Sequence, residues 1–343
     1  MSKFDLYQLV RKNILGLKPY SSARDEYTEK EGVFLDANEN PFGEHNRYPD
    51  PHQKELKKSI SQLNSVSENN IFIGNGSDEI IDLTYRIFCN PGKDKAIILS
   101  PTYGMYEVSA EINDIEIIQV PLNDKFQIDS DLLEKYFSDE NIKLLFICSP
   151  NNPTGNNIEN IESIIGKFKG IIFVDEAYND FSDAPSLINK IDQYPNLIVS
   201  QTFSKAWALA AVRIGVAYSN SKIISLFNKV KPPYNVSTLN QNAVVESLLN
   251  YSEFVKRKNS ILEQKEWLIK QFSLIKSIIK IYPSDANFIL IETENATKLY
   301  NELINKKIIT RNRNNLIKNC IRITVGSQNE NEKLIKAFKE IRE

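Results

Sequence analysis

The sequence predicts an α/β protein that has a large, doubly wound, mainly parallel sheet domain and a smaller α+β domain. Short continuous apolar runs of strand length recur along most of the chain, and stretches with helical periodicity separate most of them. The chain has 343 residues, enough for one large domain or two ordinary ones. Near residue 239 the pattern changes to one long helical stretch followed by a shorter mixed region.

The large domain is predicted from a regular alternation that begins at about residue 53. Lys54–Leu63 and Ser77–Phe88 have the amphipathic periodicity of helices. Strands are predicted at residues 71–73, 96–99, 115–120, 144–148, 171–174, 197–199 and 214–218. Continuous apolar runs of this kind are typical of parallel strands that helices cover on both faces.

The remainder of the chain predicts an arm and a second domain. Leu239–Phe272 predicts one long helix between two domains. After it, strands are expected at 286–291, 308–310 and 321–325, and helices at 296–305 and from residue 329. We therefore divide the chain into an N-terminal arm (1–30), a small domain (31–50 and 255–343) and a large domain (51–254).

The charge of the chain is nearly balanced, with 42 Lys and Arg against 44 Asp and Glu. No net field therefore favours nucleic acid or an anionic membrane. The N-terminal residues lack the apolar core of a signal peptide, and no apolar run approaches transmembrane length. We expect a cytoplasmic protein whose partners are small molecules or another copy of itself, without nucleic acid or membrane.

Few residues suit a metal site or a hydrolytic triad. Cys89, Cys148 and Cys320 are odd in number, widely spaced and flanked by apolar residues, which predicts buried core positions. His45 and His52 are the two histidines, and neither stands near a cysteine or carboxylate at ligand spacing. We expect no metal site and no Ser-His-Asp triad. Any chemistry must then come from lysine, tyrosine, carboxylates or a cofactor.

The segment Thr202–Arg213 contains Lys205, the candidate reactive lysine of the chain. Lys205 follows a predicted strand and stands among apolar residues, where the cost of charge would lower the pKa of its ammonium. A nucleophilic amine of this kind suits Schiff-base chemistry with an aldehyde cofactor. The alternative is a surface lysine at a strand-to-loop junction.

Further motifs follow predicted strand ends, where open α/β sheets bind ligands. Gly74–Glu79 predicts an anion cradle at a helix N-terminus, or else an ordinary capped turn. Tyr103 would stack on a planar cofactor or fill the core. Asn151–Gly155 is a rigid turn that presents an amide. Asp175–Tyr178 places a carboxylate where it would pair with a ring nitrogen, or where paired acids would bind magnesium.

In order and spacing, these motifs resemble the fold-type I pyridoxal-phosphate enzymes of the aspartate aminotransferase superfamily over nearly the whole chain. The residues that carry the resemblance are Asn151–Gly155, Asp175–Tyr178, Ser204–Ala206 and Arg213. Within that superfamily the chain is most similar to the histidinol-phosphate aminotransferase family, through Leu17–Tyr20, Leu35–Pro41, Arg47–Pro49, Gly76–Glu79, Ser204–Ala210 and Ile321–Gly326. It departs from the usual pattern at Trp207 and Ala211, both behind the lysine.

The resemblance implies that pyridoxal 5'-phosphate is the cofactor and that Lys205 binds it as a Schiff base. Asp175 would pair with the ring nitrogen, Asn152 and Tyr178 would hydrogen-bond the ring hydroxyl, and Tyr103 would stack on the ring. The catalytic residues would be Lys205, Asp175 and Tyr178. The cofactor phosphate would lie on the backbone N–H groups of Ser77 and Asp78, with Thr202 or Ser204, and Arg213, completing the shell.

The resemblance also implies how partners and substrates bind. Tyr48 matches a tyrosine that reaches the phosphate from the neighbouring subunit, which implies a homodimer with shared sites. An amino phosphate ester would be held by Tyr20, Asn152, Arg311 and Arg322, and the same arginines would accept a 2-oxo acid, 2-oxoglutarate. From the residues alone, Arg322 lies in an apolar strand and should meet an anion, whereas Arg311 is equally explained by a salt bridge.

The resemblance leaves relatives open as alternatives, namely an aromatic amino-acid aminotransferase or a threonine-phosphate decarboxylase-like enzyme. A cofactor-binding regulator without turnover is disfavoured because the chain has no appended DNA-binding segment and a near-neutral charge. A plain nucleotide-binding α/β protein is disfavoured by the full set of motifs in order. The expected reaction is transfer of an amino group in two half-reactions.

Overall fold

The computed structural model describes residues 4–20 and 32–341. The helices are α1 (Leu6–Leu9), α2 (Lys12–Gly16), α3 (Lys54–Asn64), α4 (Ser77–Phe88), α5 (Met105–Ile112), α6 (Ser130–Glu134), α7 (Ile161–Lys167), α8 (Ser221–Val230), α9 (Thr238–Leu249), α10 (Tyr251–Phe272), α11 (Ala296–Asn305) and α12 (Gln328–Glu340). The strands are β1 (Ile71–Asn75), β2 (Lys95–Ser100), β3 (Glu116–Pro121), β4 (Ile142–Cys148), β5 (Ile171–Asp175), β6 (Leu197–Thr202), β7 (Ile214–Tyr218), β8 (Ile278–Ile281), β9 (Phe288–Thr293), β10 (Arg311–Asn312) and β11 (Cys320–Thr324).

The first seven strands form one sheet in the order β1-β7-β6-β5-β4-β2-β3. The pairs from β6 across to β3 are parallel, and β7 runs antiparallel to both of its neighbours. Side chains alternate between faces, so Ile172 and Val174 of β5 enter one core and Ile171 and Phe173 enter the other. Each fully buried side chain of this size contributes about 1.5–3 kcal/mol. The predicted doubly wound, mainly parallel sheet is confirmed.

The other four strands form a smaller antiparallel sheet in the order β10-β11-β9-β8. Its core combines strand residues such as Ile289 with Leu268 of α10 and Phe338 of α12. Helix α10 joins the two domains, because Phe254 near its start lies in a core of the large sheet while Leu268 lies in the small one. The predicted smaller α+β domain is confirmed.

The structure differs from the predicted elements at three places. The single helix Leu239–Phe272 is two helices, because Asn250 closes α9 by donating its side-chain amide to the carbonyl of Glu246 at 3.0 Å. Strand β8 was not predicted, since its half-exposed residues give no continuous apolar run. The strand expected at 308–310 begins at Arg311, where pairing with β11 starts, and Ile309 is exposed.

The N-terminal arm packs on the large domain through Leu6, Val10 and Ile14, which lie in one of its cores. Residues 32–50 contain no helix or strand, and Tyr48 stacks on Tyr234 with ring centroids 4.4 Å apart. The proposed division at residues 30, 50 and 254 stays a prediction. No helix in the described part of the chain is long and apolar enough to cross a lipid bilayer.

Candidate active site

The candidate active site lies at the carboxyl ends of the central parallel strands. In register, Cys148 of β4 pairs with Asp175 of β5, which pairs with Ser200 of β6. The turns that follow these strands carry Asn152, Tyr178 and Lys205. The three strands end at one level, and this brings residues far apart in sequence to one edge, as the sequence analysis expected.

An anion cradle forms where β1 turns into α4. Gly76 has a φ of +78° and provides no side-chain cap, so the first N–H groups of α4, at Ser77 and Asp78, keep no capping acceptor. Strand β7 approaches this turn closely, since a Cβ on Gly215 would lie 2.6 Å from the carbonyl carbon of Gly76. A side chain at Gly215 would therefore displace the backbone of the cradle. A phosphate site needs such close backbone, because its N–H groups must reach the anion.

Arg213 closes the open side of the cradle. A Cβ on Gly76 would lie 2.5 Å from a terminal nitrogen of its guanidinium. The guanidinium lies 3.4 Å from the Asp78 carboxylate and donates to the Ser204 hydroxyl at 3.5 Å. Arg213 has a φ of +54°, an uncommon backbone for a residue with a side chain and one that often marks a functional constraint.

Thr202 shapes the lysine turn and does not point its hydroxyl into the cradle. The hydroxyl donates to the carbonyl of Ile214 at 3.2 Å and accepts the Ser204 N–H at 3.1 Å. Ser204, which contacts Arg213, is therefore the better placed of the two candidates for the phosphate shell.

Glu79 and Asn235 hold the cradle from behind, a role for Asn235 that the sequence analysis missed. Glu79 accepts the backbone N–H of Asn75 at 2.5 Å. The Asn235 amide donates to Glu79 at 2.9 Å and to the carbonyl of Ile73 at 3.0 Å. These contacts fix the loop that precedes α4 and so orient its N–H groups.

Asp175 is a buried carboxylate, 3% exposed. It accepts the hydroxyl of Tyr106 at 2.8 Å and the backbone N–H of Ala177 at 3.0 Å. Burial raises its pKa, and these two hydrogen bonds and the positive charge of Lys205 oppose that change. No ion pair within 4–20 and 32–341 joins it to a cation. A protonated ring nitrogen would supply the missing partner.

Glu176 faces away from this site, contrary to the paired acids of the magnesium alternative. Its carboxylate accepts the hydroxyl of Ser186, the N–H of Leu187 and the amide of Gln201. Adjacent residues at a strand end point in opposite directions. The two carboxylates therefore do not converge on one ion.

Tyr103 lies beside Asp175's partner Tyr106, edge to face, with ring centroids 5.6 Å apart. Its hydroxyl donates to the Asp78 carboxylate at 3.2 Å. The side chain is only half-buried, so part of the ring is accessible to a planar ligand. Burial raises the pKa of Tyr103, which keeps the hydroxyl a donor at neutral pH.

Tyr178, Asn152 and Arg322 form a connected chain across the site. The Asn152 amide donates to the Tyr178 hydroxyl at 3.4 Å, and its oxygen accepts a short hydrogen bond from Arg322. The Tyr178 ring packs edge-on against the Phe288 ring, with centroids 5.1 Å apart. The guanidinium carbon of Arg322 lies 5.2 Å from the centroid of the Phe288 ring. The large domain thus supplies the amide and the phenol, and the small domain supplies the arginine.

Lys205 opens onto this same space, with its ammonium nitrogen 5.6 Å from the centre of the Tyr178 ring. The pKa of Lys205 is lowered, first by partial burial and then by the positive charge of Arg322. Lys205 is exposed, so the expectation that its side chain lies away from water is wrong, although its pKa is lowered as expected. Apolar packing lies behind it instead, where Trp207 stacks on Phe254 with centroids 3.9 Å apart.

A cluster of three arginines faces the site from the small sheet. Arg311 of β10 pairs directly with Arg322 of β11, and the anion-binding role expected of both stays a prediction. Arg313, which the sequence analysis missed, is close enough to Arg322 and Tyr178 for their charges to act on it. Its spacing of two residues from Arg311 was the available signal, because such residues share one face of a strand.

Two predicted residues do not join this cluster within one chain. Tyr20 is 70% exposed and lines a shallow pocket with Pro51, His52 and Lys229. Tyr48 is half-exposed and stacks on Tyr234. Among the described residues, no hydrogen bond joins Tyr20 to Arg311 or Arg322, or Tyr48 to the cradle. Their roles stay predictions.

The residues present fit a planar nitrogen heterocycle that carries a phosphate and an aldehyde. The cradle supplies N–H donors and Arg213 for the phosphate, and the buried Asp175 lacks the cation that a protonated ring nitrogen provides. Lys205 supplies an amine of lowered pKa for the aldehyde.

Comparisons with known proteins agree with this arrangement. Residues 25–338 match the family described as Aminotransferase class I and II. The histidinol-phosphate aminotransferase of Cytophaga hutchinsonii is 49% identical over 98% of this chain and 99% of its own. A solved structure of this name from Clostridium acetobutylicum has a TM-score of 0.79 at 25% identity, covering 87% of this chain and 91% of that one. Another from Sinorhizobium meliloti, in complex with pyridoxal-5'-phosphate, has a TM-score of 0.78 at 22% identity over 89% and 90% of the two chains.

Proposed function

This chain belongs to the aminotransferase class I and II family, and on that premise we propose that it transfers the amino group of histidinol phosphate to 2-oxoglutarate with pyridoxal 5'-phosphate. The observation that carries the proposal is one sheet edge that holds the buried Asp175, the anion cradle and an amine of lowered pKa at Lys205. The 49% identity to a histidinol-phosphate aminotransferase over nearly the full chain supports the substrate.

Pyridoxal 5'-phosphate, when bound, supplies an aldehyde that carries the amino group and a ring that withdraws electrons from the substrate carbon. Asp175 would hold the ring nitrogen protonated, because a buried carboxylate is stabilised by a cation and destabilised without one. Tyr106 and the N–H of Ala177 would keep that carboxylate in place. Asn152 and Tyr178 would orient the opposite side of the ring.

Lys205 would also move the proton in the reaction. A lowered pKa leaves a larger fraction of its amine neutral, and the neutral amine is the form that accepts a proton from the substrate carbon. A positioned base of this kind contributes roughly 10²–10⁴-fold in rate. Arg322 serves twice, because its charge lowers the pKa of Lys205 and its guanidinium holds Asn152.

The test is a single-turnover measurement of the cofactor's visible absorption after mixing with four amines. Histidinol phosphate, phenylalanine, glutamate and threonine phosphate would each be added to wild-type holoenzyme and to Lys205→Ala. We expect rapid spectral change with histidinol phosphate, much slower change with phenylalanine, and a loss of roughly 10²–10⁴-fold in Lys205→Ala.

Other outcomes would reassign the protein. A reaction with phenylalanine as fast as with histidinol phosphate would make it an aromatic aminotransferase, and release of carbon dioxide from threonine phosphate would make it a decarboxylase. If no amine changed the spectrum of the wild-type holoenzyme, the proposed reaction would be wrong.

As part of the same proposal, the enzyme is a homodimer whose subunits share active sites. Residues 32–50 carry large apolar side chains that are mostly exposed in one chain, including Val33 at 88% and Phe42 at 82%. A second copy would cover them, since contiguous exposed apolar surface marks interfaces. Tyr48, half-exposed in the same segment, would then reach the partner's cradle.

Mixed dimers test this sharing directly. A chain with Lys205→Ala and a chain with Tyr48→Ala would each be nearly inactive alone. In a two-fold dimer each site would take Lys205 from one subunit and Tyr48 from the other. In the mixed dimer one site would therefore carry both substitutions and the other would be native, so we expect about half of the wild-type activity per mixed dimer. If mixing restores nothing while the mixed dimer forms, Tyr48 does not act across the interface.

A cytoplasmic location belongs to the same proposal. Cys89, Cys148 and Cys320 are buried and none forms a disulfide. Unpaired cysteines are the usual state in reducing compartments, and they support this placement.

A further inference from the structure

Alternation along β10 and the loop after it separates two sets of side chains. The amides of Asn312 and Asn314 donate to the Thr297 hydroxyl on α11, at 3.3 and 3.5 Å. The residues between and before them, Arg313 and Arg311, therefore face the other way. That direction is the site, because Arg311 pairs directly with Arg322, which donates to Asn152. Arg313 is also close enough to Tyr178 to oppose the rise of its pKa, and close enough to Arg322 for that charge to lower its own pKa.

The arginines of this cluster lack anionic partners. No salt bridge or hydrogen bond within the described residues engages the side chains of Arg311 or Arg313, and Arg322 reaches only the neutral Asn152. The Nε atoms of Arg313 and Arg322 are buried without any acceptor. Arg311 is exposed, and Arg313 and Arg322 are half-buried. Guanidinium groups of like charge that are even partly buried are costly unless an anion joins them.

Burial and mutual repulsion both act against the charges of the cluster. Burial first, and then the charges of Arg322 and Arg311, lower the pKa of Arg313 to about 10. A carboxylate would bring one negative charge to three guanidinium groups. A phosphate monoester brings about −1.5 to −2 and three strong acceptor oxygens, enough to engage all three arginines.

We propose that Arg313 is a third anion-binding residue of the substrate site, and that Arg311, Arg313 and Arg322 together select a phosphate monoester dianion over a singly charged anion. The inference rests on the proposed function, because the phosphate in question is that of the amino substrate. Arg313 would be a specificity-determining residue: it would raise the affinity for an anion with a second negative charge and would take no part in the chemistry at Lys205.

The test compares two probes of similar size and different charge. Phenyl phosphate is a dianion near pH 7.5 and benzenesulfonate is a monoanion, and their Kd values for the holoenzyme would be measured by titration calorimetry. In Arg313→Gln we expect the Kd of phenyl phosphate to rise roughly 10–100-fold, the usual effect of losing a charge-assisted hydrogen bond. The Kd of benzenesulfonate should rise less than about threefold, as for a charge that is not engaged.

Two further variants control the experiment. Lys318→Gln removes the same charge from the same loop at an exposed position, and should change either Kd by less than about twofold. Arg313→Lys keeps the charge and should retain most of the preference for phenyl phosphate, which separates loss of charge from damage to the loop. Cofactor absorption checks that each variant remains loaded.

Two results would overturn the inference: an equal rise in Kd for both probes in Arg313→Gln, or no rise for phenyl phosphate. Failure of the proposed function would look different. The wild-type holoenzyme would then leave histidinol phosphate unreacted, whatever the two Kd values are.

Discussion

Two walls of the active site differ in how far their polar groups are satisfied. The wall from the large domain, here the cofactor wall, consists of Asp78, Asp175, Tyr178 and Arg213, and each of these has a protein hydrogen-bond partner. The wall from the small domain, the arginine wall, consists of Arg311, Arg313 and Arg322. Among the described residues no hydrogen bond engages the side chains of Arg311 or Arg313, and Arg322 donates to Asn152 but leaves its buried Nε without an acceptor. A cofactor that stays bound and a substrate that is released need different surroundings.

The difference has a physical reason. Groups that hold a cofactor through every turnover gain from fixed positions, because preorganised dipoles need no reorganisation when charge develops. Groups that bind and release a substrate bind its anion more tightly when they have no protein partner. The anion then offsets the desolvation and repulsion of these charges, and it does not have to displace a partner. On the proposed function, the cofactor wall is fixed and the arginine wall is ready for a ligand.

The two walls also differ in how the fold supports them. Asp175 ends a central strand with neighbours on both sides, whereas Arg311 lies in a two-residue strand at the edge of the small sheet. Fewer backbone hydrogen bonds hold the edge strand, so Arg311 and Arg313 should adjust to a ligand more readily than Arg322, which lies in β11 with neighbours on both sides, or than the cofactor wall.

The strongest test of the fixed wall is Asp175→Asn beside its neighbour Glu176→Gln. Both replace a buried carboxylate by an amide, but only Asp175 faces the site. We expect kcat to fall roughly 10²–10³-fold in Asp175→Asn, as for removal of one preorganised group, and to change little in Glu176→Gln. Steady-state rates with loaded enzyme would measure both.

The same pair is open to refutation. Equal losses in the two variants would mean that burial of charge at this strand end matters and direction does not. The proposed difference between Asp175, which faces the site, and Glu176, which faces away from it, would then be wrong. Absorption of the bound cofactor should shift in Asp175→Asn and stay unchanged in Glu176→Gln.

Much of the cofactor wall could be predicted because its residues lie in short segments after strands. The apolar runs at 171–174 and 197–199 predict where β5 and β6 end, and Asp175 and Lys205 follow within a few residues. Local sequence therefore fixes their place at the sheet edge. The resemblance then added roles for Asn152 and Tyr178, which the structure brings together.

The missed residues act through contacts that no local pattern contains. Tyr106 reaches Asp175 across 69 residues of sequence, and Asn235 reaches Glu79 across 156. Tyr106 looks like an ordinary core aromatic until the partner of its hydroxyl is known. Arg313 is an intermediate case, because its spacing from Arg311 is visible in the sequence while its lack of an anionic partner is not.

Glu176 gives the smallest expected effect, and it sharpens the contrast between facing the site and lying behind it. Burial raises the pKa of Glu176 to about 6, against the opposing hydrogen bonds of Ser186, Leu187 and Gln201. The folded protein therefore holds this proton more tightly than the unfolded chain does. The stability that the proton provides is complete below pH 4.5 and is lost as the pH rises to about 6.

A raised pKa of this size corresponds to about 2 kcal/mol in the free energy of unfolding. Urea unfolding of wild type and Glu176→Gln from pH 4 to 7.5 would measure it. Asp175 and Asp180 also have raised pKa values, but both proteins keep them, so most of their contribution cancels in the difference between the two curves. What remains is the titration of Glu176 and its electrostatic interaction with Asp175. We expect wild type to lose stability relative to Glu176→Gln between pH 4.5 and 6, with no further change above. A flat difference would show that the hydrogen bonds to Glu176 balance its burial, and one that rises with pH would show that they outweigh it. In either case this carboxylate would be as well satisfied as those of the cofactor wall.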